Sequence, residues 1–325
     1  MNGLIARVGS IASAGWAWLP TSVDRRVLAW AWASLVAQIL IVGTGGAVRL
    51  TGSGLGCPTW PQCTPGSYVA LPEQGIHGVI EFGNRLLTFV LVIIAIAAFL
   101  HVVRMRGERR DLFRLALLLG LGIPAQAVLG GLTVLTGLNP YLVGAHFLVS
   151  AVLVVLATIF VVRVRFGPRQ RVRVAPLPYV ATVHVMSLLV AITVIVGVLT
   201  TGSGPHAGDA ETPRNGLDPA ILQHLHSYPG YATLALTIAL LMAAVVRRLS
   251  RLRRWTFGLL SVEIVQIIVG IAQARLGLPE VLVGVHMVLA CILIAAMTGV
   301  VLALRLPDSL QASVTRAMDK DLQRV

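Results

Sequence analysis

The chain has 325 residues, 56% of them apolar and only 12% charged, with a formal net charge of +13. Several charge-free apolar runs of about 20 residues are long enough to cross a bilayer, which excludes an ordinary soluble domain. The excess of cations does not point to nucleic acid, because the arginines gather in short connections between the apolar runs, where they set orientation and attract lipid headgroups.

Taken in order, residues 1–26 hold Arg7, Arg25 and Arg26 around a weak apolar patch without a convincing cleavage site, and read as a cytoplasmic leader. Eight spans follow, at 27–48, 77–103, 111–136, 140–165, 178–200, 219–247, 253–276 and 280–304. Charge orients them. Arg104, Arg106, Arg109, Arg110 and Arg114 follow span two; Arg163, Arg165, Arg169, Arg171 and Arg173 follow span four. Arg247, Arg248, Arg251, Arg253 and Arg254 follow span six, and Arg305, Arg316, Lys320 and Arg324 lie in the tail. With the leader's three, 22 of the 26 Lys and Arg fall on one side, which predicts cytoplasmic termini in the plasma membrane. Arg49, Arg85, Arg214 and Arg275 remain for the outer side.

One unit occurs twice. Gly144-Ala-His146 opens span four and Gly284-Val-His286 opens span eight. At the same offset of 140, Gln126 pairs with Gln266, Gly130 with Gly270, Leu138 with Leu278 and Val143 with Val283. The outer loop 49–76 contains Thr51-Gly-Ser-Gly54, and its counterpart 201–218 begins with the identical Thr201-Gly-Ser-Gly204. The predicted fold is therefore an all-α integral membrane protein, eight transmembrane helices as two pseudo-symmetric four-helix bundles. Residues 27–165 and 178–305 form the bundles, 166–177 is a cytoplasmic linker and 306–325 a cytoplasmic tail.

His146 and His286 each lie six residues into their spans. An offset of 142 pairs Glu81 with Gln223 and Asn84 with His226, seven residues in. At the helical rise, all four positions sit about 10 Å below the outer surface. Facing helices that offer side chains at one depth suit axial ligation of haem iron, the bland alternative being hydrogen bonds between helices. His224 competes with His226, and the repeat register favours His226. Glu81, a carboxylate in an apolar helix one turn before Asn84, suits proton transfer, or pairs structurally with Arg85 four residues on. Glu263 reads as polar glue ahead of a proton path. Cys57 and Cys63 lie in an outer loop with no zinc-like spacing, which favours a disulfide over a metal. Cys291 reads as a small core residue, His77 and His206 as interfacial, and His101 and His184 carry no assigned role.

Together these stretches resemble the haem A synthase family. The resemblance rests on Thr51–Gly54 leading to Cys57 and Cys63, Glu81-Phe-Gly-Asn84-Arg85, Gly144-Ala-His146, Gln223-His-Leu-His226 and Gly284-Val-His286, and covers roughly residues 27–305. It implies oxidation of the C8 methyl of haem O to a formyl group for cytochrome oxidase. It also implies haem b as cofactor between His226 and His286, with the substrate haem near Glu81, Asn84, Arg85 and His146. Haem O synthase and cytochrome oxidase assembly factors are the partners to expect, with a homo-oligomer left open. The chain departs from the family's Glu-x-x-His pattern at Asn84, a poor iron ligand, so His146 alone, or His146 with His77, would hold the substrate. It also lacks a cysteine pair in its second long outer loop. The rival reading is a b-type membrane cytochrome acting only in electron transfer.

Overall fold

The computed structural model describes residues 13, 15–168, 172–173, 175–206, 208 and 212–306. Most of the expected leader, part of the linker and the tail beyond 306 lie outside the described residues, with Arg7, Arg169, Arg171, Arg316, Lys320 and Arg324. The architecture is eight long helices: α1 (Arg25–Leu50), α2 (Gly75–Val103), α3 (Arg110–Leu135), α4 (Pro140–Phe166), α5 (Leu177–Ser203), α6 (Pro219–Val246), α7 (Ser250–Arg275) and α8 (Glu280–Ala303). All eight are long and apolar enough to cross a membrane, and the protein is a multi-pass membrane protein. A short antiparallel pair, β1 (Val172–Arg173) with β2 (Arg305–Leu306), ties the α4–α5 connection to the end of α8.

Local chemistry explains the starts and turns. Asp24, Asn139 and Asp218 cap α1, α4 and α6 through their side-chain oxygens, and a proline opens both α4 and α6. The turns α3–α4 and α7–α8 are the same turn used twice. Gly137 and Leu138 have φ of 60° and 59°, and Gly277 and Leu278 have 76° and 61°. Leu138 N–H donates to Thr133 O and Leu278 N–H to Gln273 O, both at 2.8 Å, closing the last helical turn each time. A leucine in the left-handed region is held by its surroundings; Leu138 is buried against Gly54 and Gly208.

One boundary differs from expectation. The second Thr-Gly-Ser-Gly was predicted to leave the helix at Thr201, as the first does at Thr51, yet α5 continues through Ser203. In the first copy, Gly52 takes a φ of 66° and ends the helix. In the second, Asn215 satisfies the helix end: Nδ2 donates to Leu199 O (2.8 Å) and its backbone N–H to Gly202 O (3.1 Å).

Helix α1 packs on α2, α4 and α8; α3 lies between α2 and α4; α6 packs on α5 and α7; and α8 packs on α7, α4 and, less extensively, α5. Neither α2 with α4 nor α6 with α8 packs along its length. The buried apolar clusters occupy one half of the helix layer. Val102, Leu112, Val154 and Phe160 centre one cluster, and Val183, Met186, Leu259 and Val300 the other. These residues belong to the half nearer the α2–α3, α4–α5 and α6–α7 connections. The opposite half carries His146, His226 and His286 and the glycines that face them.

Candidate functional site

Four helices present the residues singled out above at the end of the layer away from the apolar clusters. Helices α6 and α8 carry His226 and His286, whose ring centroids are 6.1 Å apart with planes crossing at 68°. His226 Nδ1 bonds the Thr193 carbonyl at 2.8 Å. A carbonyl only accepts, so Nδ1 carries the proton and Nε2 keeps its lone pair. His286 is steadied by Gln266, whose Nε2 lies 3.2 Å from both His286 O and His286 Nε2. His286 Nδ1 is buried without a partner. Each ring lies against a glycine of a neighbouring helix. A β-carbon on Gly197 would come 2.7 Å from His226 Cε1, and one on Gly270 would come 3.1 Å from His286 Cε1.

The first half repeats part of this plan. His146 lies over Gly130, 3.3 Å from where a β-carbon would stand, and its carbonyl accepts from Gln126 Nε2 at 3.1 Å. Gln126 and Gln266 thus do the same work at an offset of 140 residues. His146 Nδ1 and Asn84 Oδ1 are both buried without a partner.

What the first half adds is a clamped loop. Glu81 is 5% exposed and uses both carboxylate oxygens: Oε1 accepts from Arg85 at 2.5 Å and Oε2 from the Cys57 N–H at 2.6 Å. Arg85 also donates to the carbonyls of Cys57, Thr59 and Gln62. The Cys57–Cys63 disulfide closes the loop that this ion pair holds. Gly56 lies so close to the His77 carbonyl that any β-carbon would collide with it, and the Trp60 indole covers Gly131, next to the Gly130 that faces His146. His77 Nδ1 bonds Ser53 Oγ at 2.9 Å. The pairing of Glu81 with Arg85 offered by the i,i+4 spacing exists, and it is compatible with a catalytic use of Glu81.

The other candidates fall elsewhere. His224 is exposed, with Nδ1 bonded to Ala220 O, and turns away from His286. Glu263 accepts from Thr237 of α6 at 2.9 Å, a link between helices. His206 Nε2 bonds Leu278 O, His101 packs against Trp18 and Trp30, and His184 is exposed. Cys291 is buried in the core. Sequence reasoning gave no role to Gly197, Trp60 or the Thr193 carbonyl; the 140-residue register did mark Gly130, Gly270 and both glutamines.

The residues between α6 and α8 fit a haem. With metal–imidazole bonds of about 2 Å, two axial imidazoles on one iron hold their centroids about 6 Å apart, the separation of His226 and His286. The helices that bear them do not pack on each other, which leaves the space between to the flanking α5 and α7.

The chain is 33% identical over 132 residues to a protein named heme A synthase from Geobacillus thermodenitrificans, covering 40% of this chain and 41% of that one. It is 34% identical over 131 residues to the protein of the same name from Geobacillus kaustophilus, covering 40% of each. It is 31% identical over 153 residues to that of Listeria monocytogenes, covering 44% of this chain and 48% of that one. The matches thus span less than half the length of these relatives. The family described as cytochrome oxidase assembly protein matches residues 28–298, nearly the whole helical layer, and the chain belongs to that family.

Proposed function

We propose that the chain is a haem A synthase, oxidising the C8 methyl of haem O to a formyl group for cytochrome oxidase. The observation that carries this reading is the inequality of the two sites. One offers a facing pair of histidines. The other half has the single histidine His146, with Asn84 at the position that repeats His226, and carries the buried Glu81–Arg85 pair and the disulfide-closed loop whose Trp60 covers Gly131, next to the Gly130 that faces His146. An electron carrier gains nothing from a carboxylate and a half-filled ligand set; an enzyme needs a site where substrate binds and leaves.

In this reading α1–α4 form the substrate unit and α5–α8 the cofactor unit, joined by the 166–177 linker. His226 and His286 would hold haem b, which would supply one-electron transfer when bound. His146 holds the substrate iron, Asn84 lines the opposite wall, and Arg85 fixes both Glu81 and the loop above. Oxidation at a methyl carbon releases protons, and Glu81 is the group placed to accept one or to steady positive charge. The termini lie in the cytoplasm and the 49–76 loop outside the plasma membrane. Haem O synthase, as source of the substrate, and cytochrome oxidase assembly factors, as recipients, are the partners, and a homo-oligomer is compatible with this arrangement. Haem O and haem A are measured in cells with and without the protein. Haem A should appear at the expense of haem O only with it; an unchanged ratio, alongside a stable low-spin haem spectrum, would favour the electron carrier.

A further inference from the structure

Four basic residues stand on the side of the layer that carries the sites: Arg49, Arg85, Arg214 and Arg275. Glu81 occupies Arg85. Arg49 and Arg214 have no such partner among the described residues. Arg49, in the last turn of α1, donates Nε to His206 O at 2.7 Å and Nη2 to Thr201 O at 3.2 Å. Arg214, in the α5–α6 connection, donates to the carbonyls of Thr212 and Pro205. Among the described residues no carboxylate pairs with either arginine, and the two are brought together on adjacent residues, Arg49 bonding the carbonyl of His206 and Arg214 that of Pro205. Two cations brought together, Arg49 half-buried and Arg214 exposed, make a place that favours an anion.

Their positions say which one. Leu50, next to Arg49, touches Gly284, where a β-carbon would lie 3.3 Å from Leu50 Cδ1, and Gly284 is two residues from His286. Asn215, next to Arg214, is bonded to the end of α5, whose Gly197 backs His226. Both arginines therefore stand at the end of α5, past the Gly197 that backs His226, and Arg49 is also beside the α1–α8 contact near the start of the helix that bears His286. A porphyrin with propionate groups is an amphiphile whose two carboxylates lie on one edge, and that edge belongs in the polar layer. Arginine suits it, since its planar fork matches a carboxylate. We propose that Arg49 and Arg214 together hold the propionate edge of the haem seated between His226 and His286. The proposal rests on the haem site given under Proposed function.

The test uses the purified holoprotein with Arg49→Gln, Arg49→Lys and Arg214→Gln, and reads haem dissociation and midpoint potential. Each Gln variant should keep the low-spin spectrum but release haem about tenfold faster or more, the scale of one charge-assisted bond. Its potential should fall, because losing a nearby cation favours ferric iron; Arg49→Lys should restore most of the potential. Protein loaded with haem b dimethyl ester, which has no carboxylate, should release it equally fast in wild type and variants. Unchanged release and potential in both Gln variants would overturn the proposal while leaving the haem reading intact; this is also the outcome if Asp209 or Glu211, outside the described residues, neutralises the arginines. Loss of co-purifying phosphatidylglycerol with no change in haem release would assign the site to lipid phosphate and overturn it too. A wild-type protein without low-spin haem would remove the haem site itself.

Discussion

The imidazole of His226 rests directly on Gly197, closely enough that one methyl group at position 197 would come within 2.7 Å of Cε1. The ring and the Thr193 carbonyl it bonds are thus positioned by the same helix, α5, one turn apart. Gly197→Ala is expected to push His226 off its line to His286, at the cost of about 1–3 kcal/mol typical of overpacking. Gly270→Ala, with a clearance of 3.1 Å, should act more mildly. The measurement is haem content per protein and the position of the low-spin α-band; equal retention in Gly197→Ala and wild type would show that the ring has room to spare.

His226→Ala and His286→Ala are each expected to abolish the low-spin spectrum, since each removes one of two axial nitrogens. His224→Ala should leave it in place, because His224 is exposed and bonds only its own helix. Optical and electron paramagnetic resonance spectra of the purified variants check this; a low-spin signal surviving in both single variants would move the haem elsewhere.

Glu81→Gln keeps the side-chain shape but removes charge and basicity. Conversion of haem O is expected to fall about 10²-fold or more, the usual scale for an acid–base group, with the α6–α8 haem spectrum unchanged. Haem extraction and chromatography read the first, absorbance the second. Normal haem A production in this variant would leave Glu81 only its role in holding Arg85 and Cys57.

Arg85→Leu should be worse for the fold than Glu81→Gln. It strands the buried Glu81 carboxylate and releases three carbonyls of the 57–63 loop. Removing one partner of a buried pair costs about 3–5 kcal/mol. Lower thermal stability and faster proteolysis within residues 57–63 are expected, and a melting curve matching wild type would show that the disulfide holds the loop unaided.

Single cysteines placed in the 49–76 loop should react with an impermeant thiol reagent added to intact cells, and those placed in the 166–177 linker only after lysis. The reverse pattern would invert the proposed topology.

The eight helices were legible because bilayer-length apolar runs and arginine-rich connections are written directly into the composition, and helix ends moved by no more than three residues. The 140-residue register carried furthest: it paired Leu138 with Leu278, and the structure gives both the same unusual backbone conformation. It failed at Thr201, where the identical tetrapeptide continues the helix, because the stop depends on Asn215, a residue outside the repeat. Gly197 was invisible for a related reason. A glycine in an apolar helix has no sequence mark that tells a ring contact from a packing contact, and His226 reaches it only once α5 and α6 lie side by side. The reach of Arg85 to three carbonyls of the loop 57–63 is also a tertiary fact; sequence spacing shows only its partner four residues back.

The two apolar clusters make the helix layer electrically lopsided. One half is an insulating plug of Val, Leu, Met and Phe side chains; the other holds imidazoles, amides and a carboxylate under a thin polar cover. A proton set free at Glu81 therefore meets a far lower barrier toward the 57–63 loop than toward the opposite face. In the proposed orientation, protons released by the proposed oxidation would therefore leave toward the outside of the cell.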